Sequence, residues 1–511
     1  MDEWFRPIPI AMCAAFLVWL GGCLILLPAI ASKSGLSLRQ HSFAALLLFT
    51  GALALRLLLP PMAPFHENEH GYQMLAHQEL TYHNLTVLYP VVLRLFHLQL
   101  EGVFFFNLVL SSLTVPLVAA VARHLFEDDL AGWFAGLAAA FLPLAVRLAP
   151  TECFFNLAGF LLFMGLWIGL SSMRTSWLPG LYLGGLSAGL ACLVRDLAVF
   201  IAPVYLLVLV AASERIPKRR ELAPLLLPLA IAGMQALQIL VIFEASKHGG
   251  MINRPISPEF LMGLGLHFDA VPAAFQVATL VGLVLGMRRP RRGIPVAIAI
   301  AVLNFGASIM WETPGIFRHG LVATLAWALP AADIATVACR LAMRWFTGRA
   351  GRIPVVAASM VVLAGFVPSL DFVVHRYPSN YEYEFLDRTI DSLPDSADFV
   401  VFDDPMVGSA TSSRWFWVQK PNWRRIGWSK LSGKGADDMP TVFFLDIPCS
   451  THVPGEQPVQ TRYGPLRPAC ASALNARQWR DLGRIDLVGE SYMGYHVTLF
   501  RDPVLVWLID D

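Results

Sequence analysis

The sequence predicts a polytopic α-helical membrane protein of about twelve transmembrane helices, followed by a small extracytoplasmic α/β domain. Three observations predict it. Hydrophobic residues make up 56% of the 511 and charged residues only 15%, far from the balance of a soluble enzyme. Apolar runs of the length a bilayer demands, roughly 20 residues with about 17 as a floor, recur as far as Leu370. From Asp371 onward no run is long enough to span, and charges become dense. A formal net charge of +1 leaves no electropositive footprint, so nucleic acid is excluded as a partner.

The expected spans are Ile8–Ile30, Phe43–Pro60, Val103–Ala122, Leu130–Ala149, Phe154–Ser171 and Leu178–Val194. They continue with Leu197–Ala212, Leu222–Phe243, Leu261–Gly286, Ile294–Met310, Leu321–Cys339 and Ile353–Leu370. The first run carries Ala29-Ile30-Ala31, which looks like a cleavage site. It is nevertheless expected to be a retained helix, because Asp2 and Glu3 lead it and it is too long for a signal peptide. Between the second and third spans lies a first external loop, 61–102, in which Glu69–His83 and Tyr89–Leu100 are expected to be helices on the membrane surface.

Basic loops set the orientation. Arg215, Lys218, Arg219 and Arg220 crowd one loop, Arg288, Arg289, Arg291 and Arg292 a second, and Arg340, Arg344, Arg349 and Arg352 a third. All three fall on one side, which is therefore expected to be cytoplasmic. The loop Arg123–Asp129 departs from the rule, since Glu127, Asp128 and Asp129 make it acidic. The opposite side takes the 61–102 loop and everything after Asp371. The domains are thus expected at 1–370 and 371–511, in the inner (plasma) membrane of a bacterium. In the second domain Phe399–Asp403, Thr441–Asp446 and Tyr495–Arg501 read as strands, and Tyr381–Leu393 as a helix stopped by Pro394. Cys13, Cys23, Cys153, Cys192 and Cys339 sit in apolar runs as small hydrophobes, whereas Cys449 and Cys470 could pair in an oxidising compartment.

The external side gathers the candidate chemistry. Glu67, Asn68 and Glu69 open the first loop, with Tyr72 behind them. Glu152 follows Pro150 near the start of a helix, where an acid also serves as a simple cap. Arg195 with Asp196 interrupts a long apolar stretch, and Arg318-His319 places further cations at the same level. Acids and guanidiniums at one membrane surface suit group transfer from a lipid phosphate. A carboxylate takes a proton from the acceptor, and the cations stabilise the departing phosphate.

With these residues in order, the chain resembles the GT-C superfamily of membrane glycosyltransferases. The likeness is greatest to the branch of protein O-mannosyltransferases and lipid A aminoarabinose transferases. Asn68-Glu69-His70-Gly71-Tyr72 stands where that family carries an Asp-Glu element, Tyr89-Pro90 where it carries Tyr-Pro, and Thr151-Glu152 where it carries a second acid. Gly189-Leu190-Ala191 through Arg195, and Arg318-His319 before Pro330, match its later basic elements. The resemblance implies a polyprenyl-phosphate sugar donor, an acceptor that is lipid, glycan or protein, and inverting single displacement. It implies Glu69 and Glu152 as catalytic acids, and Asn68, Tyr72, Tyr89, Arg195, Arg318 and His319 as substrate contacts; Glu67 has no counterpart in the family but stands one residue from the position of its Asp. One departure stands out: the family's catalytic Asp falls on Asn68, which cannot act as a base, so the role passes to Glu69 or Glu67. No motif requires a cofactor. His66, His70, His77 and His83 with the loop acids are compatible with a divalent cation, or are surface histidines. A lipid-linked saccharide transporter and a non-catalytic membrane scaffold are the alternatives. The first is disfavoured because the charges cluster at one face; the second is kept open by Asn68.

Overall fold

The computed structural model describes residues 7–33, 38–58, 88–97, 100–150, 153–194, 200–213, 215–242, 272–288, 290–309, 320–346 and 352–369, and shorter stretches beyond 399: 399–401, 441–445, 457–461, 464–466, 468, 471, 479–486, 491–492, 495–498 and 503–509. The chain divides into two compact units, Met1–Pro61 with Leu75–Val374, and Met62–Met74 with His375–Asp511.

The first unit is helical. Its described helices are α1 Pro7–Lys33, α2 Leu38–Leu57, α3 Leu88–Leu95, α4 Leu100–Phe126, α5 Asp129–Phe141, α6 Pro143–Leu148 and α7 Phe154–Thr175. They continue with α8 Leu178–Leu193, α9 Ile201–Ala212, α10 Arg219–Ile242, α11 Ala273–Gly286, α12 Pro290–Ile309, α13 Leu321–Met343 and α14 Ile353–Ala364. Three of these, over Gly102–Phe126, Phe154–Thr175 and Leu321–Met343, are long and apolar enough to cross a membrane, and eight shorter helices are apolar as well. Large apolar side chains also point outward: Leu24, Ile25, Leu58, Val284 and Val361 are all exposed. In water such a surface would drive association, whereas lipid accommodates it. The unit is that of an integral membrane protein.

Small residues let the helices approach. A methyl group on Gly165 of α7 would lie 2.9 Å from the Gly184 carbonyl of α8, and one on Gly184 would lie 2.9 Å from the Gly165 carbonyl. The two backbones therefore touch, the mode of packing expected where lipid supplies no hydrophobic drive. The Ser187 hydroxyl adds a bond across the same pair, donating to the Leu161 carbonyl at 2.7 Å.

Two expectations need correction. The single span Leu130–Ala149 is broken at Leu142, whose ψ of 117° leaves the helical region. Pro143 follows, and the residue before a proline is driven out of the helical region by its ring. The surface helix expected over Tyr89–Leu100 is shorter, ending at Leu95, with His97 left-handed at φ 48° and α4 beginning at Leu100. It does not lie on a surface: Leu88 to Leu93 are buried, and α3 packs on α1 and α8. The other surface helix, Glu69–His83, lies outside the described residues, as do Tyr381–Leu393, Cys449 and Cys470. Of the remaining cysteines, Cys23, Cys153, Cys192 and Cys339 are buried and Cys13 is half-buried.

In the second unit a four-stranded sheet has the order β1-β2-β8-β5, with β1 Phe399–Val401, β2 Thr441–Leu445, β5 Trp479–Asp486 and β8 Pro503–Ile509. β1 and β2 are parallel, and the other two pairings are antiparallel. β8 is nearly all apolar, as a central strand should be. Two short hairpins stand apart: β3 Val459–Thr461 with β4 Gly464–Leu466, and β6 Ser491–Tyr492 with β7 Tyr495–Thr498. The strand expected over Tyr495–Arg501 thus belongs to a hairpin and not to the main sheet.

Candidate functional site

Glu67, Asn68, Glu69, Tyr72, Glu152, Arg195, Arg318 and His319 lie outside the described residues; Tyr89 is described. Around it the structure shows a buried polar layer on segments that adjoin the others in sequence. Tyr89, on α3, is fully buried, and its hydroxyl accepts a 2.7 Å hydrogen bond from Asn107 Nδ2 of α4. Asn107 Nδ2 also donates to the Val103 carbonyl at 3.0 Å. The Tyr89 ring meets Phe154 edge-on at 6.3 Å, at the first residue of α7. Two residues on, Asn156 Nδ2 donates to the Leu148 carbonyl at 2.9 Å. That bond ties the start of α7 to the end of α6, on either side of the segment in which Glu152 falls.

Two guanidiniums are fully buried here, Arg147 on α6 and Arg56 in the last turn of α2. Arg56 Nε donates to Ser111 Oγ at 3.1 Å, and Arg56 Nη1 donates to the carbonyls of Ala52 and Ala140 at 3.1 and 3.2 Å. Ser111 Oγ in turn donates to the Ala145 carbonyl at 3.3 Å. All these acceptors are neutral oxygens, and Arg56 Nη2 has no hydrogen-bond partner among the described residues. Removing such an ion from water costs several kcal/mol, and inside a membrane bundle an ionisable side chain marks function by default. Arg56, Asn107 and Asn156 were not among the residues expected from sequence. The signal for Arg56 was present, a lone guanidinium within the apolar run Phe43–Pro60.

The far end of α4 is built differently. Arg174 Nη2 donates to Glu127 at 2.9 Å and to the His124 carbonyl at 2.7 Å. Arg340 pairs with Asp128 at 2.6 Å, and Arg123 with Asp129. The acidic loop that departed from the charge rule is therefore a set of counterions for arginines, two of which come from the last turns of α7 and α13. Glu221, buried at the start of α10, takes Arg215 in a bidentate pair at 2.6 and 2.7 Å and accepts from the Lys218 amide at 2.7 Å. The Arg215 hydrogen bonds hold the Glu221 carboxyl down at about 2. A cavity of about 610 Å³ opens between these groups, lined by His124, Glu127, Arg174, Ser213 and Arg215. Among the described residues no group of three or more His, Cys, Asp or Glu could hold a metal ion.

No protein-family model and no curated protein sequence matches this chain. Solved structures do. ArnT from Cupriavidus metallidurans in the apo state superposes with a TM-score of 0.54 at 14% identity, over 91% of this chain and 97% of that one. ArnT bound to undecaprenyl phosphate gives 0.51 at 15% identity, with the same coverage. The chain shares the fold of ArnT. The archaeal oligosaccharyltransferase AglB from Archaeoglobus fulgidus, in complex with an inhibitory peptide and a dolichol-phosphate, gives 0.50 at 11% identity. That match takes in 74% of this chain but only 63% of AglB, so this chain spans less than two thirds of the archaeal one.

Proposed function

We propose that the protein is an integral-membrane glycosyltransferase that moves a sugar from a polyprenyl-phosphate donor to an acceptor on the extracytoplasmic side. The observation that carries it is the GT-C fold shared end to end with ArnT, a protein that has been solved with undecaprenyl phosphate bound. In this reading Glu69 or Glu67 accepts the proton of an acceptor hydroxyl or amine. The freed lone pair attacks the anomeric carbon from the face opposite the phosphate. The C–O bond to the phosphate breaks, and polyprenyl phosphate leaves with the bonding pair. Arg195 and Arg318 neutralise its charge, His319, Tyr72 and Asn68 contact the donor, and Glu152 assists. Tyr89, expected as a substrate contact, is buried and bonded to Asn107, and in this reading it positions the loop before it. A divalent cation remains compatible with the loop's histidines and acids; AglB has been solved in complex with zinc and sulfate.

The test uses purified full-length protein, radiolabelled polyprenyl-phosphate sugars and a membrane extract as acceptor source. Wild type should transfer label. Glu69→Gln should lose about 10²–10⁴ in rate, the usual cost of removing a positioned base, with donor binding retained. If Glu67 is the base, the loss moves to Glu67→Gln. Full activity in both variants would place the base elsewhere. No transfer by wild type from any donor would favour the scaffold reading, with Asn68 as the mark of a lost catalytic Asp.

A further inference from the structure

An apolar groove of about 490 Å³ lies between α5, α11, α13 and α14, and among the described residues no charged or hydroxyl side chain lines it. Its walls are low because they are largely alanine: Ala335, Ala338 and Ala342 from α13, and Ala357 and Ala358 from α14. It runs along α14 from Ile353 to Phe366, which at about 1.5 Å per residue is about 20 Å. A single hydrocarbon chain, whose width is set by carbon contacts of about 4 Å, fits along it. The length is about two thirds of a hydrocarbon core of roughly 30 Å.

The two ends of the groove differ. At one, Phe275 and Phe366 stack at 5.5 Å, and Phe366 is buried. At the other, Phe346 and Ile353 form the mouth where α13 ends and α14 begins. Arg344 lies two residues before Phe346 and Arg352 directly before Ile353; both are exposed, and neither is in an ion pair among the described residues. Arg340, one turn back, is already held by Asp128. We propose that the groove is a lipid site, holding one acyl chain of an anionic glycerophospholipid whose phosphate is bound by Arg344 and Arg352. The charge at the mouth selects the head group, because basic side chains at a helix–membrane boundary attract anionic lipids. The polyprenyl tail of a sugar donor is a poorer occupant, since the groove's head-group end is the end of the basic loops. The site stands whether or not the protein transfers sugar.

The test is native mass spectrometry and thermal unfolding of the full chain in mild detergent, titrated with phosphatidylglycerol, phosphatidylcholine or undecaprenyl phosphate. Wild type should retain one phosphatidylglycerol and prefer it to phosphatidylcholine by about thirtyfold, from two basic side chains at roughly fivefold each. Its unfolding temperature should rise with that lipid, as for any ligand of the folded state alone. Arg344→Gln with Arg352→Gln should bind the two phospholipids alike. Ala335→Leu and, separately, Ala358→Leu should fill the groove and lose the bound lipid while remaining monodisperse. Equal binding of both phospholipids by wild type would overturn the head-group assignment. Retention of phosphatidylglycerol by both leucine variants would place the lipid elsewhere, and its displacement by equimolar undecaprenyl phosphate would make the occupant a prenyl chain.

Discussion

The two ends of α4 handle charge in opposite ways. At the Phe126 end carboxylates and guanidiniums meet in pairs, most of them at the surface: Glu127 with Arg174, Asp128 with Arg340, Asp129 with Arg123. In the half of α4 towards Leu100, Arg56 is sunk among neutral oxygens, with its partner Ser111 one turn from the Asn107 that bonds Tyr89. Exposed pairs of the first kind join loops and contribute little free energy each. A buried cation of the second kind is a cost to the fold. The difference teaches where to look for chemistry: in the costly arrangement, whose Arg56 and Tyr89 flank in sequence the segment that carries Glu67 and Glu69.

The comparison breaks most readily at Glu221, the one buried carboxylate at the paired end among the described residues. Glu221→Gln removes charge-assisted bonds and should cost roughly 1.5–3 kcal/mol, read as a fall in unfolding temperature in detergent. Its pH dependence has a definite sign. The folded carboxyl lies at about 2, against an ordinary value of 4.5. The pair therefore contributes fully above about 4.5, and the contribution fades as pH falls from there through 2. Scans from pH 6 to 3 should show wild type losing more than Glu221→Gln; parallel curves would mean that the pair is not formed. Tyr89→Phe, at the other end, should cost about 1 kcal/mol through the lost bond with Asn107. Arg340→Gln should cost roughly 0.2–1 kcal/mol, shrinking as salt is raised. The smallest change in stability is expected from Arg56→Met. An apolar chain of similar volume replaces a buried ion, so the unfolding temperature should hold or rise while transfer falls. A large loss of stability there would make Arg56 a structural residue.

Helix positions were legible because a bilayer demands apolar runs, and few other constraints act on them. Breaks within runs were less so. Leu142 is an ordinary leucine, and the signal was Pro143 behind it, outweighed by the apolar residues on either side. The burial of α3 was hidden because Leu88-Tyr89-Pro90-Val91-Val92-Leu93 is short and apolar, a pattern shared by interfacial and core segments. Arg56 was missed because one charge among twenty apolar residues barely changes a run's mean. In the second unit β8 was passed over although it is the most apolar strand, since a seven-residue run near the end of the chain reads as tail. The acids of Glu127–Asp129 were seen, but their partners lie 6, 47 and 212 residues away, and only the packed bundle brings them together.

That last separation has a consequence for biogenesis. Asp128 caps α5 by accepting from the Leu130 amide at 2.9 Å, and Arg340 donates to the same carboxylate. With 212 residues between them and synthesis at roughly 5–20 residues per second, the acid emerges about 10–40 s before its partner. During that interval the cap alone shields the carboxylate, and α4 and α5 must settle without α13. The Trp133–Ser359 bond at 3.0 Å, spanning 226 residues, closes later still. The bundle is therefore latched in order of translation, with its final helices fastening a hairpin already in place.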